Sequence, residues 1–417
     1  MNDDKEFAGG VALVGFFDPA TMAEFMAPEA AAQIAGIRSS PGVPIHRLAA
    51  GLVSRGIRTT IVGGVRGAVS IHVKSSPLSI AIYAKRGGWP FLLNGLRRER
   101  NAILALLHEI QPSIVHAHWT FEGGRAVGDW DGPKLLTLHD AAWEYARLAG
   151  PYNPASAAYI GRWLMNTDAT IARFPHIVAE SPYVETYLRM RYRYRGEVRV
   201  IPSAVADLPD NLTVPTLFPK TGGITFGCYG SPGGVKNVQV ALAAFCKLEP
   251  SIGGARLLVF GGGWERAGAE FSKRHIEFRG PLPHNMFLQS LVNEVDIWVH
   301  PSKSEAQSLV ICEAIQVGCL VIAGKQSGAV PWTLDYGRAG LLVDIDDADE
   351  VARAMRTAVL ERPTFNVMID YGRRLIQRRF NMEHILDLHL DYYRDIIRDY
   401  SDRRVKVKAS TKLAPSS

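Results

Sequence analysis

Cysteine is scarce, with four residues in 417, at Cys228, Cys246, Cys312 and Cys319. None forms a Cys-x-x-Cys pair and three sit in apolar context, which argues against a disulfide framework or a zinc site and favours a reducing cytoplasm. Long apolar runs are missing as well, and none is long enough to cross a bilayer. The start, MNDDKEFAGG, is acidic where a signal peptide would be basic. The expected location is the cytoplasm, with attachment to the inner face of the membrane left open. The first strand-like run, VALVGFFDPA, lacks the G-x-G-x-x-G of a dinucleotide-dependent dehydrogenase. GCYGSPGGVKNV is not a Walker A loop either, because Lys236 is preceded by Val235 where that motif requires glycine and is followed by Asn237. Acid-x-acid motifs occur at Asp129 to Asp131 and at Asp344 to Asp346, but both read as exposed turns, so no metal cofactor is expected.

A strong charge of one sign is also absent: 47 Lys and Arg against 41 Asp and Glu leave a net +6. That excess permits an anionic partner without choosing among nucleotide, nucleic acid and membrane. What is present is a large apolar fraction, 47%, in a chain long enough for two cores. Short β-rich runs alternate with helical patterns from VALVGFF to HIVAESP, and the alternation restarts from ITFGCYG to CLVIAG. Strand–helix alternation of this kind predicts parallel sheets covered by helices, here an α/β chain of two doubly wound domains. The proline-rich stretch 203–223 reads as the join. The expected division is 1–205, 206–381, and a C-terminal helix with a polar, disordered tail over 382–417. In open sheets of this type ligands collect at the carboxyl ends of strands, so two such domains should face each other across a cleft.

Within PSKSEAQSLVICEAIQVG, the spacing of Ser304 and Gln307 has the form of a capping box, predicting a helix from Ser304 to Gly318. Glu305 would then lie in its first turn. Glu313 would lie about two turns on, among Leu309, Val310, Cys312, Ile315 and Val317. A buried ionised carboxylate without partners costs several kcal/mol, about what a fold cannot ignore, so Glu313 must be paired, face a cleft or ride an exposed edge.

The run HPSKSEAQSLVICEAIQVGCLVIAGKQSGAVPWTLDYGRAGLLVD resembles the carboxyl-proximal signature of the retaining GT-B glycosyltransferases of family 4: Glu, seven residues, Glu-Ala, a glycine, an apolar strand, a small-residue loop and a Gly-Leu-Leu-Val strand. SSPGVPIHRLAAGLVSRGIRTTIV, IVHAHW and EVRVIPSAVAD are similar to further parts of that family. The resemblance implies a GT-B fold of two Rossmann-like domains, the first binding acceptor and the second binding a nucleotide-sugar donor. It implies that Glu313 holds the ribose hydroxyls, that Glu305 lies near the transferring sugar, and that the amides of Ser308, Leu309 and Val310 contact the donor. It further implies that Lys236 neutralises the donor diphosphate, that His118 lies near the reacting bond, and that Gly42 lets the backbone approach the donor phosphate. His118, Lys236 and Glu305 are thus the catalytic candidates.

Three positions depart from the family pattern. Ser231 stands where an arginine is usual, Pro41 replaces the first glycine of a pair, and Ser203-Ala204 replaces Asn-Gly. Arg279 and Lys303 are candidates for the missing second cation. These departures keep open a non-catalytic homologue that binds a nucleotide or a partner. Nucleic-acid binding through the arginine–aromatic stretch YLRMRYRYRGEVR ranks behind both, and no nucleic acid partner is expected. The acceptor expected from the resemblance is a glycan, soluble or lipid-linked. Residues 84–107, with Lys85, Arg86, Arg97, Arg98 and Arg100 beside Trp89 and Phe91, suit an anionic membrane surface.

Overall fold

In a computed structural model, residues 7–40, 42–67, 69–86, 96–149, 154–209, 212, 214, 223–248, 252–264, 271 and 275–412 are described. Among them, the strands of the first domain are β1 (Val11–Val14), β2 (Thr59–Arg66), β3 (Ile71–Val73), β4 (Leu78–Lys85), β5 (Ile114–His118), β6 (Lys134–Leu138), β7 (His176–Ala179) and β8 (Glu197–Val200). The second domain holds β9 (Thr225–Tyr229), β10 (Arg256–Phe260), β11 (Ile276–Gly280), β12 (Ile297–His300), β13 (Leu320–Gly324) and β14 (Leu341–Val343). The central strands VALV, IVHAH and LVIAG are buried at every position. Strands covered by helices on both faces need apolar side chains on both, which is why they read as continuous runs rather than as alternation.

The first sheet runs β3-β4-β2-β1-β5-β6-β7-β8, parallel except where β3 meets β4. The second runs β11-β10-β9-β12-β13-β14 and is parallel throughout. In the parallel part of each sheet the order runs outward in two directions from one point, between β1 and β5 and between β9 and β12. At such a switch point the following loops splay to opposite faces and leave a crevice at the strand ends. Gly15–Phe17 and His118 stand at the first crevice, and Gly230–Lys236 and His300–Glu305 at the second.

The C-terminal helix, Met382–Lys412, does not stay with the second domain. Its Ile385, Leu386, Leu390, Tyr392, Tyr393 and Ile396 belong to the first domain's core, against Leu48, Leu52 and Ile201. Truncating the fully buried Leu386 to alanine would cost about 2–5 kcal/mol there. The chain therefore crosses between domains twice, and the crossings are tied together by the Val205 amide donating to the Phe380 carbonyl at 2.8 Å. The helix also runs on through Val405 to Lys412, where composition predicts a disordered tail. Residues 413–417 of that tail, Pro41 and much of the predicted join lie outside the described residues.

Candidate active site

At the second crevice, the loop after β9 turns through Gly233 and Gly234, both at positive φ (77° and 68°), and delivers Lys236. Lys236 Nζ donates to Glu305 Oε1 at 2.7 Å. His300, the last residue of β12, is within 3.0 Å of the same oxygen through Nε2 and 3.3 Å from Ser308 Oγ. Burial opposes ionisation of Glu305, yet Lys236 and then His300 outweigh it and hold the carboxyl well below the usual range. Burial likewise works against the charge on Lys236, but Glu305 beside it raises the lysine pKa.

Glu305 is not in the first turn of a helix. Its carbonyl accepts from the Ala329 amide at 2.8 Å and the residue forms a parallel bridge with Gly328, so the segment is held extended. The helix begins four residues later than the capping-box pattern predicts, spanning Leu309–Gln316, with Ser308 as N-cap accepting from the Ile311 amide at 3.4 Å. Gln307 takes no part in capping: its side chain donates to the Ser203 carbonyl at 2.8 Å and accepts from the Ser203 amide at 2.6 Å, clasping the interdomain crossing. The amides of Leu309 and Val310, with Ser308 before them, still form the open N-terminus of the helix.

Glu313 lies on that helix with 5% of its side chain exposed. It is paired across the domains: Arg47 Nη2, from the helix Val43–Ser54 of the first domain, donates to Oε1 at 2.8 Å, and His284 Nε2 is 3.0 Å from the same oxygen. Arg47 is itself buried and its Nη1 donates to the Ala204 carbonyl at 2.7 Å. Burial raises the Glu313 pKa, but His284 and Arg47 more than reverse it, leaving the carboxyl below its ordinary value. Both glutamates therefore use Oε1 for protein partners. Among the described residues neither Oε2 receives a hydrogen bond.

The first-domain wall is built differently. His118 ends β5 and is 4% exposed; its Nδ1 is 2.9 Å from His139 Nε2, and His139 Nδ1 is 2.9 Å from the buried Glu180 carboxylate. Burial, then the neighbouring imidazoles His116, His139 and His389, push the His118 pKa well below its ordinary value, so the ring is neutral. Its Nε2 has no hydrogen-bond partner, and the ring lines a cavity of about 20 Å³, room for about one water. The structure thus brings Lys236, Glu305 and Ser308 together, joins Glu313 to Arg47, and sets His118 in a separate buried cluster. Gly42 sits at φ 48°, where a Cβ would come within 1.8 Å of the Phe16 carbonyl oxygen. Its close backbone approach is to the protein's own loop after β1.

Of the two candidates for a second cation, Arg279 is tied to Glu277 and Glu294, both at 2.6 Å. Lys303 lies nearer, its amide donating to the Val235 carbonyl at 2.8 Å, while its ammonium meets Asp346 at 3.6 Å. In the basic stretch 84–107, Lys85 pairs with Glu122, Arg86 with Glu99 and Arg100 with Asp129. Arg97 and Arg98 remain exposed, and residues 87–95 lie outside the described residues. The arginines of 187–199 are largely engaged within the fold, Arg189 with the Tyr194 and Gly196 carbonyls and Arg199 with Asp395. Among the described residues no group of three His, Cys, Asp or Glu side chains is arranged to hold a metal ion, and no helix is long and apolar enough to cross a membrane.

Sequence reasoning missed Arg47, His284, His300, Asp140 and Glu180. Arg47 carried a signal, a lone charge inside the apolar pattern VPIHRLAAGLVS, the mirror of Glu313 in SLVICEAIQV.

Comparison with known proteins bears on both domains. Residues 223–360 match the family model described as glycosyl transferases group 1, and residues 42–207 match that of glycosyltransferase family 4. A lipopolysaccharide core biosynthesis glycosyltransferase, LpsE of Rhizobium meliloti, is 31% identical over 96 residues, covering 23% of this chain and 28% of LpsE. The chain spans less than half the length of the curated relatives it matches. In fold, a sucrose-phosphate synthase from Thermosynechococcus elongatus superposes with a TM-score of 0.72 at 19% identity, over 93% of this chain and 99% of that one. HepE of Anabaena, solved in complex with UDP and glucose, superposes at 0.63 and 15% identity over 92% and 98%. With two largely parallel-sheet domains and a family match on each, the chain belongs to the GT-B glycosyltransferases of group 1 and family 4.

Proposed function

We propose that the protein moves a sugar from a nucleotide-sugar donor to the hydroxyl of an envelope or polysaccharide glycan, with retention at the anomeric carbon and no metal ion. The observation that carries this reading is the pair of glutamates eight positions apart, Glu313 buried and Glu305 largely so, each paired through one oxygen and keeping the other for a ligand. Glu313 Oε2 would accept from the ribose hydroxyls, a charge-assisted contact suited to a buried site. Lys236 commits one ammonium proton to Glu305 and has two more for diphosphate oxygens. The open amides from Ser308 to Val310 add to the field for an anion, and Lys303 supplies the second positive charge that Ser231 does not.

The chemistry follows from what is positioned. The anomeric C–O bond to phosphate breaks as the acceptor oxygen attacks from the same face, and the acceptor proton passes to the departing phosphate oxygen. Lys236 and the helix N-terminus hold the charge that develops there. Motion about the paired crossings at 205 and 380 would open and close the cleft around the donor and exclude water.

UDP is the first nucleotide to try, since HepE was solved with it. Nucleotide release should be followed with UDP-glucose, ADP-glucose and GDP-mannose in EDTA, and the product anomer read by NMR. Release from one donor, undiminished by EDTA and giving a retained anomer, supports the reading. Loss of activity on chelation, or an inverted product, overturns the corresponding part of it. A second reading, a nucleotide-binding homologue impaired in transfer, is favoured by Ser231 and by the engagement of Arg279 with two acids. Nucleotide binding without turnover of any donor would select it.

A further inference from the structure

On the first domain, beyond the end of β6, lies a cavity of about 290 Å³, lined by Phe121, Asp140, Tyr145, Ile160 and Trp163. It is at the lower end of small-ligand pockets, about 300–1,000 Å³, and so fits one ring-sized group. Its walls are aromatic and mutually braced. Phe121 and Trp163 stack in parallel, centroids 5.9 Å apart and planes 9° apart, and Tyr145 meets the edge of Trp163 at 6.1 Å. Trp163 is buried, whereas Tyr145 is 43% exposed. Asp140 is partly exposed, and among the described residues its carboxylate receives no hydrogen bond.

Position joins this pocket to the reaction. Asp140 follows His139 at the end of β6, and it senses the charges of His139 and Glu180 from its own domain and of Glu305 and Lys236 from the other. Tyr145 lies near enough to Lys236 to influence its ionisation. Burial, reinforced by Glu180 and Glu305, raises the Asp140 pKa to about 6, so at neutral pH the side chain is an ionised acceptor without a donor.

We propose that this cavity is a subsite for a pyranose unit of the acceptor, with Asp140 accepting from its ring hydroxyls and Tyr145 and Phe121 covering its C–H face. A sugar ring offers an apolar C–H face and a hydrogen-bonding rim, and the pocket presents an aromatic surface and a lone carboxylate in matching positions. The assignment rests on the transfer reading and gives its acceptor a chemical class: a glycan whose terminal residue is a ring with free adjacent hydroxyls.

The test uses methyl glycosides of glucose, galactose, mannose and N-acetylglucosamine as probes. Each is titrated into the wild-type protein and observed by saturation-transfer NMR, alone and with UDP or UDP-glucose present. At least one should bind saturably, with transfer strongest at the C–H protons of one ring face, and should persist when UDP-glucose is added. Asp140→Asn and Tyr145→Ala should each weaken it at least tenfold. Tyr145 is exposed, so its variant carries the test if the aspartate variant fails to fold. Wild-type protein that binds none of the four, variants that bind like wild type, or a glycoside displaced by UDP-glucose but not by UDP would overturn the subsite. UDP affinity is read separately in the same samples: its absence would count against the donor reading, while glycoside binding would still report on the pocket.

Discussion

The two walls of the cleft handle charge in opposite ways. On the second-domain wall, Glu305 and Glu313 are held below the ordinary carboxylate range by the partners placed against them, Lys236 with His300 and Arg47 with His284. On the first-domain wall, His116, His118 and His389 are kept neutral by burial, His389 with its pKa lowered to about 3 and the other two well below their ordinary value. One wall is a preset electrostatic field suited to a diphosphate leaving group; the other is built around neutral imidazoles, with Glu180 held by His139, Arg47 reaching across to Glu313, and Asp140 receiving no hydrogen bond among the described residues. Under the proposed transfer reading this is a division of labour: the second-domain wall would supply charge stabilisation, and the first-domain wall shape and a few hydrogen bonds.

The largest effect should come from breaking the charged wall. Lys236→Ala should lower turnover by about 10²–10³, the loss typical when one preorganised group that stabilises transition-state charge is removed, while the melting temperature moves little. Near-normal turnover would mean that the field lies elsewhere. Next comes the tie between the walls. Arg47→Ala leaves Glu313 buried with only His284, and the stability loss by urea titration should be about 3 kcal/mol, near the lower end for an orphaned buried charge. In a cycle with Glu313→Gln the double variant should lose less than the sum of the singles. Strict additivity would show that the pair is not coupled.

A smaller effect turns on Asp140, on the first-domain wall. Because the Asp140 pKa is raised, its carboxylate takes up a proton as pH falls through about 6, so the efficiency of acceptor use should decline below that value. His118, already neutral, should add no limb near its ordinary pKa. Asp140→Asn should flatten the acid side of the profile, and an unchanged profile would remove Asp140 from the acceptor site. The smallest effect is at the periphery. Arg97→Glu with Arg98→Glu should release the protein from anionic liposomes at low salt, each arginine contributing about 1 kcal/mol near such a surface, while turnover with a soluble acceptor is unchanged. Wild-type protein that fails to sediment with the liposomes would leave a soluble acceptor.

The second wall was far more legible in the sequence than the first. Parallel strands buried on both faces announce themselves as apolar runs, so both doubly wound sheets could be read from VALV, IVHAH and LVIAG. The Glu305–Glu313 spacing is local and marks both glutamates as candidates, although only Glu313 lies on the helix. What sequence could not show was set by contacts far apart in the chain. Ser304 and Gln307 match a capping box, but bridging to Gly328 holds Glu305 extended and Gln307 is drawn to Ser203, so the helix starts at Leu309. Arg47 and Glu313 are separated by 266 positions, and only folding makes them partners. Likewise DLHLDYYRDIIRDY declares an amphipathic helix but not that its apolar face returns to the first domain. Asp140 had no motif at all; its character comes from a pocket assembled from three separate segments.

The most direct test of the central claim is the affinity of Glu313→Gln for the nucleoside diphosphate, measured by calorimetry against wild type with UDP, ADP and GDP. An amide is a poorer acceptor for ribose hydroxyls than a carboxylate, so the nucleotide that binds wild type should bind the variant more weakly by about 1–3 kcal/mol, roughly 5- to 150-fold in Kd. Equal affinity in the two proteins, or no binding of any of the three to wild type, would contradict the account.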